Sequence, residues 1–130
     1  MRTERREFQR GEIYLTDPDP VMGREQGGKR PFLVISIDPM NRSSANLVIA
    51  VPLTTTDHGS SLHVRIEPPM GGLERVSFAM PEMVRSMSTQ RLRGRLGQVP
   101  AGLTDTVVAK TGVLVGLGRS RGGGLSAPRR

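Results

Sequence analysis

Few side chains in this chain could do chemistry. His58 and His63 are the obvious acid–base candidates, since an unperturbed imidazole titrates near neutral pH. His58 falls in the loop Asp57-His58-Gly59-Ser60-Ser61 and His63 opens an alternating segment, and nothing in the sequence places them together. The chain has no HExxH, no aspartates paired at metal-ligand spacing, no phosphate-binding P-loop and no GxSxG serine elbow. These absences argue against a metal-dependent nuclease, an NTPase and a serine hydrolase. What remains are Arg30 at the foot of a glycine loop, Thr54 to Thr56 at the end of an apolar run, and Glu82 with Arg85 in Pro81-Glu82-Met83-Val84-Arg85. Metal-free cleavage of RNA needs a base for the 2′-hydroxyl, cations or donors for the charged phosphorane, and an acid for the leaving 5′-oxygen. Arginine, threonine and glutamate can supply these roles if the fold gathers them. The same residues also fit a strand end and a surface ion pair, and spacing does not separate the two readings.

The elements that must position these groups are legible as short runs. Gly23-Arg24-Glu25-Gln26-Gly27-Gly28-Lys29-Arg30-Pro31 leads directly into Phe32-Leu33-Val34-Ile35. Its glycines let backbone pass close to a ligand, and Pro31 restricts Arg30 to extended geometry at the mouth of a strand. An anchored arginine beside an amide-rich loop suits phosphate, although a plain hairpin turn with solvated charges has the same composition. Strand-length runs recur at Glu12 to Thr16, Phe32 to Ile37, Leu47 to Thr54, Leu62 to Ile66, Val76 to Met80 and Glu82 to Met87, joined by Gly, Pro, Asp and Ser. That pattern predicts a meandering antiparallel sheet. The second and third runs are almost wholly apolar and should be central, whereas His63, Arg65 and Glu67 alternate with Leu62, Val64 and Ile66, giving that strand one wet face.

A helical turn is expected at Thr89 to Arg93 and an extended piece at Gly94 to Val99. The period then changes: Leu103, Val107, Leu114 and Leu117 trace one stripe of a C-terminal helix. Gly102 and Gly112 make it weak by propensity, at about 1 kcal/mol per interior glycine, so packing must hold it. The expected fold class is mainly β (α+β), a small curved sheet or barrel closed by a C-terminal helix.

Composition sets the outer bounds. The 130 residues suit one domain, divided into an N-terminal extension over 1–9, a folded body over 10–118 and a basic, disordered tail over 119–130. With no cysteine the chain has neither disulfides nor a thiolate metal site, which fits a reducing compartment. No apolar run of membrane-spanning length and no secretory signal are visible, so a cytoplasmic location is expected. The net charge is +7, of which the tail carries +4 and the extension +1, leaving +2 for the body. Bulk charge is therefore a poor argument for nucleic-acid binding by the fold itself. Phe8, Tyr14, Phe32 and Phe78 are the only aromatic rings, and at least two should be core. Base stacking, worth about 1–3 kcal/mol per base, cannot then be the main grip on RNA.

Taken in order, the residues resemble a MazF/PemK-type toxin of a type II toxin–antitoxin system. The pieces that carry the resemblance are Arg10-Gly11-Glu12-Ile13-Tyr14-Leu15, Gly23 to Pro31 with its Glu25-Gln26-Gly27-Gly28-Lys29-Arg30-Pro31 core, Asp38 with Asn41-Arg42, Val51-Pro52-Leu53-Thr54, His63-Val64, Gly72-Leu73, Glu82 to Arg85, Arg91-Leu92 and Leu96-Gly97. The resemblance covers residues 9–118. It implies a small SH3-like barrel of the MazF/PemK/CcdB type with a C-terminal helix, working as a homodimer. It implies an endoribonuclease that cuts single-stranded RNA at short preferred sequences, needs no metal or other cofactor, and leaves a 2′,3′-cyclic phosphate. A cognate antitoxin would be its protein partner, and no membrane is involved.

By the same resemblance Arg30 and Thr54 match the catalytic arginine and threonine, and Glu82 an acidic position proposed as base. The segment Met22, Gly23, Arg24, Glu25, Gln26, Gly27 and Gly28 matches the loop that closes over RNA, with Lys29, Thr55, Met83 and Arg85 as further RNA contacts. Because free guanidinium has a pKa of about 12.5–13.8, Arg30 is better suited to stabilising charge or donating a proton than to accepting one, which leaves Glu82 as the base. The chain departs from the family pattern at Met83, where glutamine is common, at Ser88, where aspartate is common, and at Met80 and Arg24, where the plasmid branch has arginine and histidine. Two other activities fit a fold of this type: a gyrase-inhibiting CcdB-like toxin without nuclease activity, and a non-catalytic RNA-binding barrel.

Overall fold

The computed structural model describes residues 7–17 and 29–118. The expected loop 22–28, residues 1–6 of the extension and the tail 119–130 lie outside the described residues. Seven strands follow in order: β1 (Glu12–Thr16), β2 (Arg30–Val34), β3 (Leu47–Thr54), β4 (Val64–Ile66), β5 (Ser77–Ala79), β6 (Arg85–Ser88) and β7 (Leu92–Gln98). A short helix α1 (Asp38–Asn41) links β2 to β3, and α2 (Ala101–Leu114) closes the described chain. The strands form one antiparallel sheet in the order β4-β5-β3-β2-β1-β7, with β6 also on β3. It curls into a half-barrel, as expected for a mainly β fold with a C-terminal helix.

β3 organises the sheet because its eight residues are long enough to be shared. Along one side it pairs with β2, Phe32 facing Pro52 and Val34 facing Ala50. Along the other it pairs first with β6, Leu47 to Ala50 facing Ser88 to Arg85, and then with β5, Leu53 and Thr54 facing Ala79 and Phe78. Between those partners the chain steps out through a 3-10 turn at Pro81–Met83. Pro52 sits opposite that step, where its carbonyl accepts the Met80 N–H at 3.1 Å. A proline lacks a donor, and it is tolerated in a central strand here because the partner chain has left the ladder.

Alternation sends the strand residues to two apolar clusters. Ile13, Leu33, Ile35, Val51, Leu53, Ile66, Ala79 and Val107 form one, so α2 covers this face through Val107. Phe8, Tyr14, Phe32, Val34, Val48, Ala50, Met87 and Leu92 form the other. All four aromatic rings are buried. Glu12 is buried too, and its carboxylate accepts from the Tyr14 hydroxyl at 2.8 Å, the Gln9 N–H at 2.8 Å and Arg95 Nε at 2.6 Å. A buried charge with both carboxylate oxygens hydrogen-bonded is a structural tie between β1 and β7.

Three expectations need correction. Glu82 to Met87 is not one strand: Pro81, fixed in φ, starts a 3-10 turn that runs to Met83 before β6 begins at Arg85. The helical stripe is buried only at Val107 and half-buried at Leu103, while Leu114 and Leu117 are exposed because the end of α2 projects past the sheet. The helical turn at Thr89–Arg91 ends at Arg91, and the last strand starts at Leu92, two residues before the expected Gly94. Gly72 lies against β7 with φ of +75°, where a Cβ would stand 2.5 Å from the Leu96 carbonyl carbon.

Candidate active site

Arg30 opens β2 and is exposed. Its carbonyl accepts the Thr16 hydroxyl at 3.0 Å, and its Cα is paired with Thr16 across β1. Pro31 holds it extended, so the backbone beneath the guanidinium is fixed from two sides. Thr54 ends β3, half-buried, and its hydroxyl oxygen accepts the Thr56 N–H at 3.1 Å. A hydroxyl has one proton and two lone pairs, so this turn orients the oxygen while leaving the proton to be donated elsewhere.

Register brings the two together. Phe32 opposite Pro52 is the last pair of the β2–β3 ladder, and Arg30 and Thr54 each lie two residues beyond it, at the same end of the two strands. Thr54 is in turn opposite Phe78, and Phe78 is opposite Arg65. Two rows of paired residues thus reach this end of the sheet, Thr16–Arg30 from one side and Thr54–Phe78–Arg65 from the other.

Glu82 belongs to a neighbouring cluster. From the 3-10 turn its Oε2 lies 2.7 Å from His63 Nε2. The His63 side chain is 6% exposed against 39% for Glu82, so a sheltered imidazole meets a half-open carboxylate. Burial by itself would raise the Glu82 carboxyl, but the His63 hydrogen bond, a backbone N–H and the nearby His63 and His58 charges outweigh it and hold the group below its ordinary value. The other ring nitrogen of His63, Nδ1, is buried and has no hydrogen-bond partner. The His58 ring stands edge-on to His63 with centroids 5.7 Å apart. The expectation that nothing unites the two histidines is therefore wrong: the loop after β3 turns back through Asp57, whose carboxylate accepts the Gly59 N–H at 2.9 Å, and lays His58 on His63. His58, Ser60, Leu62, His63, Met80, Glu82 and Met83 line an open groove of about 460 Å³.

The remaining expected residues divide. Lys29 faces Asp17 at 3.9 Å, Thr55 is exposed in the turn after β3, and Met83 is 53% exposed on the groove. Arg85 is exposed opposite Ala50, and its Nε donates to the Ser86 carbonyl, so Glu82 and Arg85 do not form the surface pair that their spacing allows. Met22 to Gly28 lie outside the described residues. The residue that sequence reasoning undervalued is His63. Its signal was the wet face shared with Arg65 and Glu67, but its partner depends on a strand pairing that the sequence does not print. Among the described residues no group of His, Asp or Glu is arranged to hold a metal.

A curled half-barrel with a C-terminal helix is the architecture of a small barrel toxin. The chain belongs to the PemK-like, MazF-like toxins of type II toxin–antitoxin systems, whose family model matches residues 9–114. Endoribonuclease EndoA of Bacillus subtilis is 37% identical over 100 residues, spanning 75% of this chain and 85% of that protein. Among solved structures, MazE–MazF from Deinococcus radiodurans superposes with a TM-score of 0.74 at 28% identity, covering 87% of this chain and 99% of that one. MazF alone from the same organism gives 0.70 at 28% identity, with 87% and 100% covered.

Proposed function

We propose that this toxin is an endoribonuclease that cuts single-stranded RNA without a metal, at short preferred sequences, and so inhibits translation and growth in the cytoplasm. The observation that carries the reading is that Arg30 and Thr54, a cation and a hydroxyl, end adjacent strands two residues beyond the last β2–β3 pair. The 2′-hydroxyl of the substrate attacks the adjacent phosphorus, and the P–O bond to the 5′-oxygen of the next nucleotide breaks as that oxygen takes a proton from solvent water. The products are a 2′,3′-cyclic phosphate and a 5′-hydroxyl end. Arg30 neutralises the charge that builds on the phosphorane oxygens and Thr54 donates to one of them, contacts that strengthen as the charge develops. Glu82 receives the 2′-hydroxyl proton, and His63 holds its carboxylate ionised and oriented.

The MazE–MazF likeness supports a cognate antitoxin as the inhibiting partner, and two copies of the toxin as the working unit. Purified protein incubated with RNA in EDTA tests the reading. Discrete cuts ending in cyclic phosphate support it; intact RNA with inhibited supercoiling by gyrase, or RNA bound and left whole, refutes it.

A further inference from the structure

Arg65 has no role in the chemistry above, yet it stands in the same row as Thr54. From the middle of β4 it is paired with Phe78, which is paired with Thr54. Its guanidinium carbon lies 5.9 Å from the centroid of the Phe78 ring, and its Nε donates to Glu67 Oε2 at 2.6 Å. The ring takes one flat surface and the carboxylate takes the Nε edge. Both terminal nitrogens are left for a ligand, and the side chain is 54% exposed.

An arginine on a bare surface must be ordered before it can bind. This one is already ordered, which lowers the entropy cost of recognition. The Glu67 charge does not cancel it, because an ion pair exposed on both sides is weak and gives way to a phosphate. Phe78 is 8% exposed, so it seats the guanidinium and offers no open face to a base.

Two strand spacings separate Thr54 from Arg65 along the row, about 10 Å in a sheet of ordinary geometry. That span exceeds one phosphodiester link and fits a strand drawn across the row. We propose that Arg65, seated on Phe78, binds a backbone phosphate of the RNA a few linkages from the scissile one and so positions the reacting phosphodiester between Arg30 and Thr54. The proposal rests on the reading of Arg30 and Thr54 as the scissile site. Arg65 acts as a positioning residue and touches no reacting atom.

The test is a scan of one RNA substrate in which single linkages are made neutral as methylphosphonates. It is read as cleavage and, on an all-deoxy strand that cannot be cut, as binding. For the unaltered protein one linkage away from the cut should show a loss of about fivefold to tenfold, and Arg65→Gln should erase that loss while raising KM by a similar factor at nearly constant kcat. The salt dependence of binding should fall by about 0.7 in log–log slope, the value of one single-strand phosphate contact. Arg65→Lys, which keeps the charge, should restore part of the effect and controls for folding. Equal penalties at every linkage in the unaltered and Arg65→Gln proteins, or a loss in kcat alone, would overturn the assignment. Should the unaltered protein fail to cut RNA, the scissile-site reading falls, and the deoxy-strand scan still decides whether Arg65 holds a phosphate.

Discussion

Replacing Gly72 by alanine probes the seam between the 3-10 turn at Met70–Gly72 and β7. At φ of +75° an alanine adopts the left-handed region, at a cost of about 1–2 kcal/mol. The new Cβ would also overlap the Leu96 carbonyl and come within 3.3 Å of the Gly97 nitrogen, backbone atoms that cannot swing aside. Overpacking of this kind adds about 1–3 kcal/mol. The sum, about 2–5 kcal/mol, is a large part of the 5–15 kcal/mol, roughly, that keeps a domain folded. At about 3–6 °C per kcal/mol for a chain of this size, the melting temperature should drop by about 6–30 °C.

Gly59 supplies the control. Its φ is +70°, nearly the same, but a Cβ there meets nothing within 4 Å. Gly59→Ala should cost only the conformational part, lessened by about 0.4–1 kcal/mol through the stiffer unfolded chain. Thermal unfolding of both variants by circular dichroism, with urea titrations for the free energies, separates the two contributions. Equal destabilisation at the two positions would refute the claim that contact with β7 dominates at Gly72.

Arg30→Ala should lower kcat by at least about a hundredfold with an unchanged melting curve, checked by single-turnover cleavage; retained cleavage removes Arg30 from the transition state. Thr54→Val should slow cleavage by about tenfold or more, with Thr54→Ser recovering most of it, because serine keeps both the donor and the acceptor for the Thr56 N–H. Glu82 lies below its ordinary value when folded, so its favourable pairing is complete above the unfolded value and is lost as pH falls through the folded one. His63→Gln removes the partner that lowers it, and the acid limb of a kcat/KM–pH profile should then move to higher pH; an unmoved limb excludes Glu82 as the titrating base.

The sequence showed most of the scaffold because its strands carry their own punctuation. Glu12–Thr16 and Leu47–Thr54 are bounded by turn residues and rich in β-branched side chains, and both strands have those limits. Helix α1 escaped notice because four residues with Pro39 in the first turn show no period. The Pro81–Met83 turn was hidden because extended and 3-10 segments share the same apolar composition. Of the site, Arg30 was marked by Pro31 and Thr54 by the end of an apolar run. The pairing of Glu82 with His63 was not legible, since it joins residues 19 apart in the sequence through two strand registers. No local pattern records that.

The β1–β7 seam has a consequence for biosynthesis. Glu12 pairs with Gln98, so the first strand of the fold completes its ladder with the last. A ribosome adding about 5–20 residues per second delivers those partners roughly 4–17 s apart. During that interval β1 has β2 on one flank and solvent on the other, and the buried Glu12 carboxylate lacks Arg95. The half-barrel that carries Arg30 and Thr54 therefore stays open along β1 until Gln98 and its neighbours have been added.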